Sequence, residues 1–321
     1  MKYFIKFNKF VLFFSILVIS CTASSQTPQV SQITITLDTP TQTNTPRIET
    51  PTAAPIATAT LYPALNSEDA YELVFQLLKD NSNCKLPCWW GITPNETTSQ
   101  DAISFLNSFS LIASTYSMRI DRGGMILRIP NGDDILSPYI GFNSIDGNIE
   151  TLTVGVSQVT KTENGGYEEV YDDPAFAKAI HSLTLPEILK SYGSPKEVLI
   201  ATYSLQPLGW PAFFEIQLFY PNHGFLIVYH TLMEFAKNEY IQGCPSKGSI
   251  GISLWEADKY ASIKDIPNEI RENVSGFSLS SYLQIDKATN MNTESFYNSF
   301  KNDDGTLCLE TPSVLWPFPG Q

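Results

Sequence analysis

Ser182-Leu183-Thr184-Leu185-Pro186-Glu187-Ile188-Leu189-Lys190-Ser191-Tyr192-Gly193-Ser194-Pro195 is the stretch whose reading decides the fold. Thr184 and Glu187 stand at capping-box spacing, which predicts a helix start. Ile188 and Leu189 give that helix an apolar side. Gly193 followed by Pro195 ends it, because glycine accepts a left-handed C-cap and proline cannot continue a helix. Three strand-like runs come next, at 197–203, 213–220 and 225–230, with Pro221-Asn222-His223-Gly224 as a turn between the last two. One short helix followed by antiparallel strands is the result.

The same order occurs once before. Gly91-Ile92-Thr93-Pro94 leads into a helix with Ala102, Ile103, Phe105 and Leu106 on one side, and Thr97 and Gln100 have capping-box spacing. Strand signals follow at 112–120, 125–129, 139–142 and 149–156. Asp146-Gly147 between the last two is a strong hairpin signal. A further helix is expected over 66–79, with Ala70, Leu73, Val74, Leu77 and Leu78 at helical spacing. The expected fold class is therefore α+β, with tandem short-helix plus antiparallel-sheet modules over 64–160 and 161–321. The second module carries a C-terminal extension, in which 252–257 and 276–283 are apolar pieces and 293–300 reads as a short helix.

At the other end of the chain, Lys2, Lys6 and Lys9 precede an apolar run over 10–19 that closes on Leu17-Val18-Ile19-Ser20-Cys21. A basic head, a short apolar core and a small residue before the cut predict a secretory signal peptide over 1–20. Cysteine directly after the small residue resembles a bacterial lipobox. That resemblance implies an acylated thiol at Cys21, bearing chains such as palmitate, and a protein held to the membrane by lipid on the extracytoplasmic face of the cell envelope. Residues 21–63 are rich in Thr and Pro, with repeated Thr-Pro steps and no aromatic before Tyr62. Such a segment has too little apolar surface to offset chain entropy, so a disordered linker is expected.

The chain carries a net charge of −13, and loss of the three signal-peptide lysines takes it to about −16. This disfavours nucleic acid and anionic lipid surfaces as partners. Beyond Cys21 there remain Cys84, Cys88, Cys244 and Cys308, an even count that points to two disulfides in an exported chain. Three pairings are open. Cys84–Cys88 with Cys244–Cys308 is favoured, because the first pair is close enough to bridge locally. A redox role for Cys84 and Cys88 fits poorly, since the thioredoxin-type motif has two intervening residues and this has three.

Cys84-Lys85-Leu86-Pro87-Cys88-Trp89-Trp90-Gly91, together with the lipobox, the Thr/Pro segment and Cys308-Leu309-Glu310-Thr311-Pro312, is similar to a group of bacterial surface lipoproteins. The similarity implies class and no activity. At the level of pattern, Thr184 to Leu189, Gly193-Ser194-Pro195 and the hairpin after them resemble the helix-plus-meander modules of β-lactamase-inhibitor proteins and of a lipoprotein of outer-membrane assembly.

Motifs of catalysis are scarce. Histidine occurs at 181, 223 and 230 only, and no zinc-protease spacing, nucleophile elbow, phosphate loop or dinucleotide glycine pattern is present. No catalytic residue, metal site or cofactor is expected. Glu168, Glu169, Asp172 and Asp173 could offer oxygens to calcium, but without the spacing of a calcium loop they read as a solvated connection. Trp89, Trp90 and Trp210 are the candidate binding residues, as an aromatic platform for sugar or peptide. The reading is a non-enzymatic binding or envelope-scaffolding module whose partner is an envelope protein, peptide or glycan. The alternative is an exported hydrolase using paired carboxylates, which can meet only in the fold.

Overall fold

The first helix, α1 (Ser67–Asp80), begins where the Asn66 side chain accepts the backbone N–H of Asp69 at 3.0 Å. It ends at Asn81, which takes a left-handed φ of 50° that asparagine tolerates better than most residues. In the computed structural model residues 64–316 are described, apart from 132, 164, 171–173, 205–211, 236–238 and 276–277. The signal peptide, Cys21, the whole Thr/Pro segment, Asp172, Asp173 and Trp210 lie outside the described residues.

Helix α2 (Ser99–Asn107) is capped by Thr98, which accepts the Asp101 N–H at 3.1 Å, and not by Thr97. The Thr97 hydroxyl instead accepts the N–H of Thr93 at 2.9 Å, closing the turn before the helix. Four long strands and two short ones follow: β1 (Ala113–Met118), β2 (Arg122–Leu127), β3 (Ile129–Asn131), β4 (Asp134–Ile145), β5 (Asn148–Lys161) and β6 (Tyr167–Glu169). Two short helices come next, α3 (Pro174–Ala179) and α4 (Leu185–Tyr192). Thr184 caps α4 by backbone geometry alone, because its hydroxyl donates to the His181 carbonyl. Glu187 does not complete a capping box; it pairs with Lys190 at 2.6 Å.

The second set of strands is β7 (Glu197–Ser204), β8 (Ala212–Tyr220), β9 (Phe225–Phe235) and β10 (Tyr240–Leu254). The chain then runs through α5 (Asn268–Ser275), β11 (Leu283–Gln284), α6 (Ile285–Ala288), α7 (Thr293–Phe300) and β12 (Leu309–Pro312). Among the described residues these strands form one antiparallel sheet in the order β1-β2-β4-β5-β10-β9-β8-β7-β11. Strand order thus runs forward through the first set and backward through the second. The halves meet at the β5–β10 ladder, from Val156 opposite Ile250 to Leu152 opposite Leu254.

β10 is the element the sequence hides. Only its last residues read as apolar, because Gly243, Pro245, Gly248 and Gly251 interrupt the pattern. At Gly251 the reason is close approach: a Cβ there would lie 2.9 Å from both the side chain and the carbonyl of Val274 on α5. The ladder to β9 shifts register between Gly243 and Gly248, where Pro245 has no N–H to give.

One face of the sheet, with Ile140, Val154, Ile216, Ile227 and Ile252, packs against α1, α2, α4 and α7 in a continuous core. Tyrosines fasten α4 to it: Tyr229 donates to the Leu183 carbonyl at 3.0 Å and Tyr220 to that of Gly193 at 2.9 Å. The outer face is covered over β7 to β10, and α5 carries that cover onto β5. There Phe219, Leu226, Val228 and Trp255 meet Ile263, Ile266 and Ile270 from the segment around α5.

Both disulfides pair as expected, Cys84–Cys88 and Cys244–Cys308. The short bridge sits on a polar hub. Asn81 donates to the carbonyls of Cys84 and Cys88 at 2.8 and 2.9 Å and accepts the N–H of Trp90 at 2.8 Å. The Leu86 N–H reaches the Tyr192 hydroxyl at 2.9 Å, which ties this loop to α4. Because Asn81 holds the loop independently, replacing Cys84 and Cys88 together by serine should cost only about 2 kcal/mol, the entropy of a very short closed loop. A urea melt of the double variant checks this; a loss beyond about 4 kcal/mol would mean the bridge organises more than its own loop.

Candidate functional site

The buried run of β8 reads Ala212-Phe213-Phe214-Glu215-Ile216-Gln217-Leu218-Phe219-Tyr220, and a single carboxylate stands in it. Glu215 is 0% exposed and lies on the outer face of the sheet. A buried carboxylate needs partners to offset its lost hydration. Two neighbouring strands and the chain after α5 supply them. His230, opposite Glu215 in the β8–β9 register, brings Nδ1 to 2.6 Å from Oε1. Tyr203 on β7 donates its hydroxyl to Oε1 at 3.3 Å, and the Tyr282 hydroxyl makes a short hydrogen bond to Oε2. Burial and the neighbouring carboxylate hold the Tyr282 hydroxyl far above the ordinary tyrosine range, so it stays protonated and donating. Phe213 packs on the imidazole with ring centroids 4.5 Å apart. Glu215 therefore fixes the orientation of His230.

Among the described residues lining a groove on the outer face, His230 represents this cluster. Its side chain is 22% exposed, and it lines a depression of about 340 Å³ on the outer face, beside the edge of α5. The floor is made of small residues: Ser137, Gly155, Ser157 and Ser249. Ser249 stands opposite His230, and Ser137 opposite Ser157. Tyr139 forms one wall, Asn273 and Val274 the other, and Glu169 a third side. Tyr139 leans along its own strand over Gly141, where a Cβ would lie 2.3 Å from the tyrosine hydroxyl oxygen. Its ring remains 37% exposed.

A second, larger cavity of about 860 Å³ lies near the Cys244–Cys308 bridge and is lined by both signs of charge, including Lys79, Lys178, Lys190 and Lys247. Its four carboxylates each serve a local turn or helix. Asp80 accepts the Ser82 N–H at 2.9 Å, Glu187 holds Lys190, and Asp303 accepts the Leu307 N–H at 3.1 Å. The Thr306 hydroxyl, at 2.7 Å, holds Asp304 below the ordinary carboxylate range. Asp303 and Asp304 are brought side by side by the Thr306 hydroxyl, which donates to both.

Trp89 and Trp90 are not an exposed platform. Their exposures are 0% and 3%, and the two indoles stack on each other 5.6 Å apart with Phe109 beyond. The tight turn at Trp90 and Gly91, both at positive φ, folds the pair inward. Trp210 lies outside the described residues. Glu168 and Glu169 sit on β6, paired with β5, and among the described residues no cluster of His, Cys, Asp or Glu is placed to hold a metal ion. Of the three histidines, His223 packs edge-on to Tyr192 at a turn and His181 lines the charged cavity. Sequence reading missed Glu215, Tyr203, Tyr282 and Tyr139. The signal present was the lone Glu in an otherwise apolar strand.

Comparison with family models, with curated proteins and with solved structures finds no significant match.

Proposed function

We propose that this chain is a lipid-anchored, extracytoplasmic binding module of the cell envelope, and that its contact surface is the uncovered half of the outer sheet face. The observation that carries the reading is the asymmetry of that face. Over β7 to β10 it is sealed by the α5 segment, which reaches onto β5; beyond that cover, over β4 and the rest of β5, it is a groove of hydroxyl and glycine positions walled by a half-exposed tyrosine. A central sheet surface left without apolar cover suits a polar contact better than further packing. The forward-then-backward strand order supports two helix-plus-meander halves joined edge to edge. The Thr/Pro segment after Cys21 serves as the tether that lifts this head from the membrane.

Two variants test the reading. Ser157→Arg, which sets a long charged side chain on the groove floor, should abolish retention of the protein on envelope material without lowering its melting temperature. Val314→Arg, at a position 86% exposed and outside the groove, should leave retention unchanged. Equal retention of both variants would remove the groove from the account. For the anchor, Cys21→Ala should no longer incorporate radioactive palmitate and should leave the membrane fraction or remain unprocessed; label in the variant equal to that in the parent would end the lipid reading.

A further inference from the structure

We propose that the groove beside His230 binds a neutral sugar ring, with Tyr139 as its stacking surface; this rests on the reading of that face as the contact surface. Four features of the groove select this ligand. The first is the ring of Tyr139. It lies along the sheet because position 141 is glycine, and the residue lines the groove and is 37% exposed. An aromatic face carries negative quadrupolar charge and attracts the weakly positive C–H groups that line one face of a pyranose. The second is the floor. Ser157 and Ser249 each offer a hydroxyl that both donates and accepts, which matches the hydroxyls of a sugar edge, while the buried Ser137 hydroxyl accepts from Arg128. The third is His230. Glu215 holds Nδ1 and the Tyr203 hydroxyl lies 3.1 Å from Nε2, so the imidazole borders the groove as a fixed ring wall rather than a mobile one.

The fourth feature is charge. Among the described residues lining this groove there is no lysine or arginine, and Glu169 is its carboxylate. The Arg128 guanidinium reaches the floor only at the Ser137 hydroxyl and is stacked on the Tyr167 ring, so the groove suits a neutral polyol, which can donate to Glu169, better than an anion. An extended peptide is disfavoured for a different reason. The floor is β4, β5, β10 and β9, whose backbone groups are already paired within the sheet, so no strand edge is available for addition. The volume of about 340 Å³ is at the small end of ligand sites, which suits one or two sugar units rather than a long chain enclosed on all sides.

The test is calorimetric titration of the full chain, held in a zwitterionic detergent that carries no sugar, with maltotriose, cellotriose, mannotriose and chitotriose. The expected result is saturable binding of at least one of them. Tyr139→Ala should weaken it tenfold or more, and Tyr139→Phe, which keeps the ring, should leave it nearly unchanged. Should Tyr139→Ala lower the melting temperature, Ser157→Arg serves as the second variant and should block binding by filling the floor. Binding of a trisaccharide that survives both Tyr139→Ala and Ser157→Arg would place the sugar elsewhere and overturn the proposal. Failure of all four to bind, with retention on envelope material still blocked by Ser157→Arg, would overturn the sugar assignment while leaving the groove as the contact surface. Failure of all four with retention indifferent to Ser157→Arg would overturn both.

Discussion

Glu215→Ala is expected to destabilise the head by about 3–5 kcal/mol, the range for removing one partner of a buried, hydrogen-bonded ionisable pair. The loss has two sources. The Tyr282 hydroxyl and His230 Nδ1 are left without the carboxylate they face, and a buried polar group without its partner costs about 1–3 kcal/mol. The missing side chain also opens a void between the sheet and the layer around α5. Glu215→Gln keeps the shape and an acceptor for Tyr282, so it should lose clearly less than the alanine variant. Urea melts of the pair give the comparison. A glutamine variant as unstable as the alanine variant would mean that the negative charge itself, rather than the hydrogen-bond geometry, holds the cluster.

Trp89→Ala should cost a similar about 3–5 kcal/mol, as large aromatic truncations in cores do. Trp89 is fully buried, and its stacking partner Trp90 leans in turn on Phe109, so truncation leaves a cavity that these two rings cannot fill without moving. Among the described residues the Trp89 indole N–H has no hydrogen-bond partner. Trp89→Phe therefore forfeits volume but no hydrogen bond, and should fall well between parent and alanine variant. Thermal and urea melts decide; an alanine variant within about 1 kcal/mol of the parent would show that the Cys-Trp-Trp-Gly turn is dispensable to the core.

How much of this was legible in the sequence depends on how local each signal is. The helix over 293–300 was read at its observed bounds, because Asn292 caps it by bonding three residues ahead. The hairpin of β4 and β5 was announced by Asp146-Gly147, both at positive φ. The two disulfides followed from spacing and parity. What failed was the long-range part. β10 joins the two halves, yet its glycines answer to atoms far away in the chain, such as Val274, and carry no local strand signal. Trp89 and Trp90 were candidate binding residues because aromatic pairs serve both cores and surfaces; the turn that buries them depends on Asn81 and on backbone angles a pattern does not carry. The groove was invisible for the same reason. Ser137, Ser157, Ser249 and His230 come from four strands and meet only through register.

The central claim, that the uncovered half of the outer sheet face is the contact surface, is tested most directly by hydroxyl-radical footprinting of the full chain in detergent, with and without solubilised envelope material. Tyr139, 37% exposed in the groove, and Phe235, 65% exposed outside it, report in the same digest. The account predicts that oxidation of Tyr139 falls on addition of the envelope material while oxidation of Phe235 does not change. Unchanged oxidation of Tyr139 under conditions where the protein is retained on that material would contradict it.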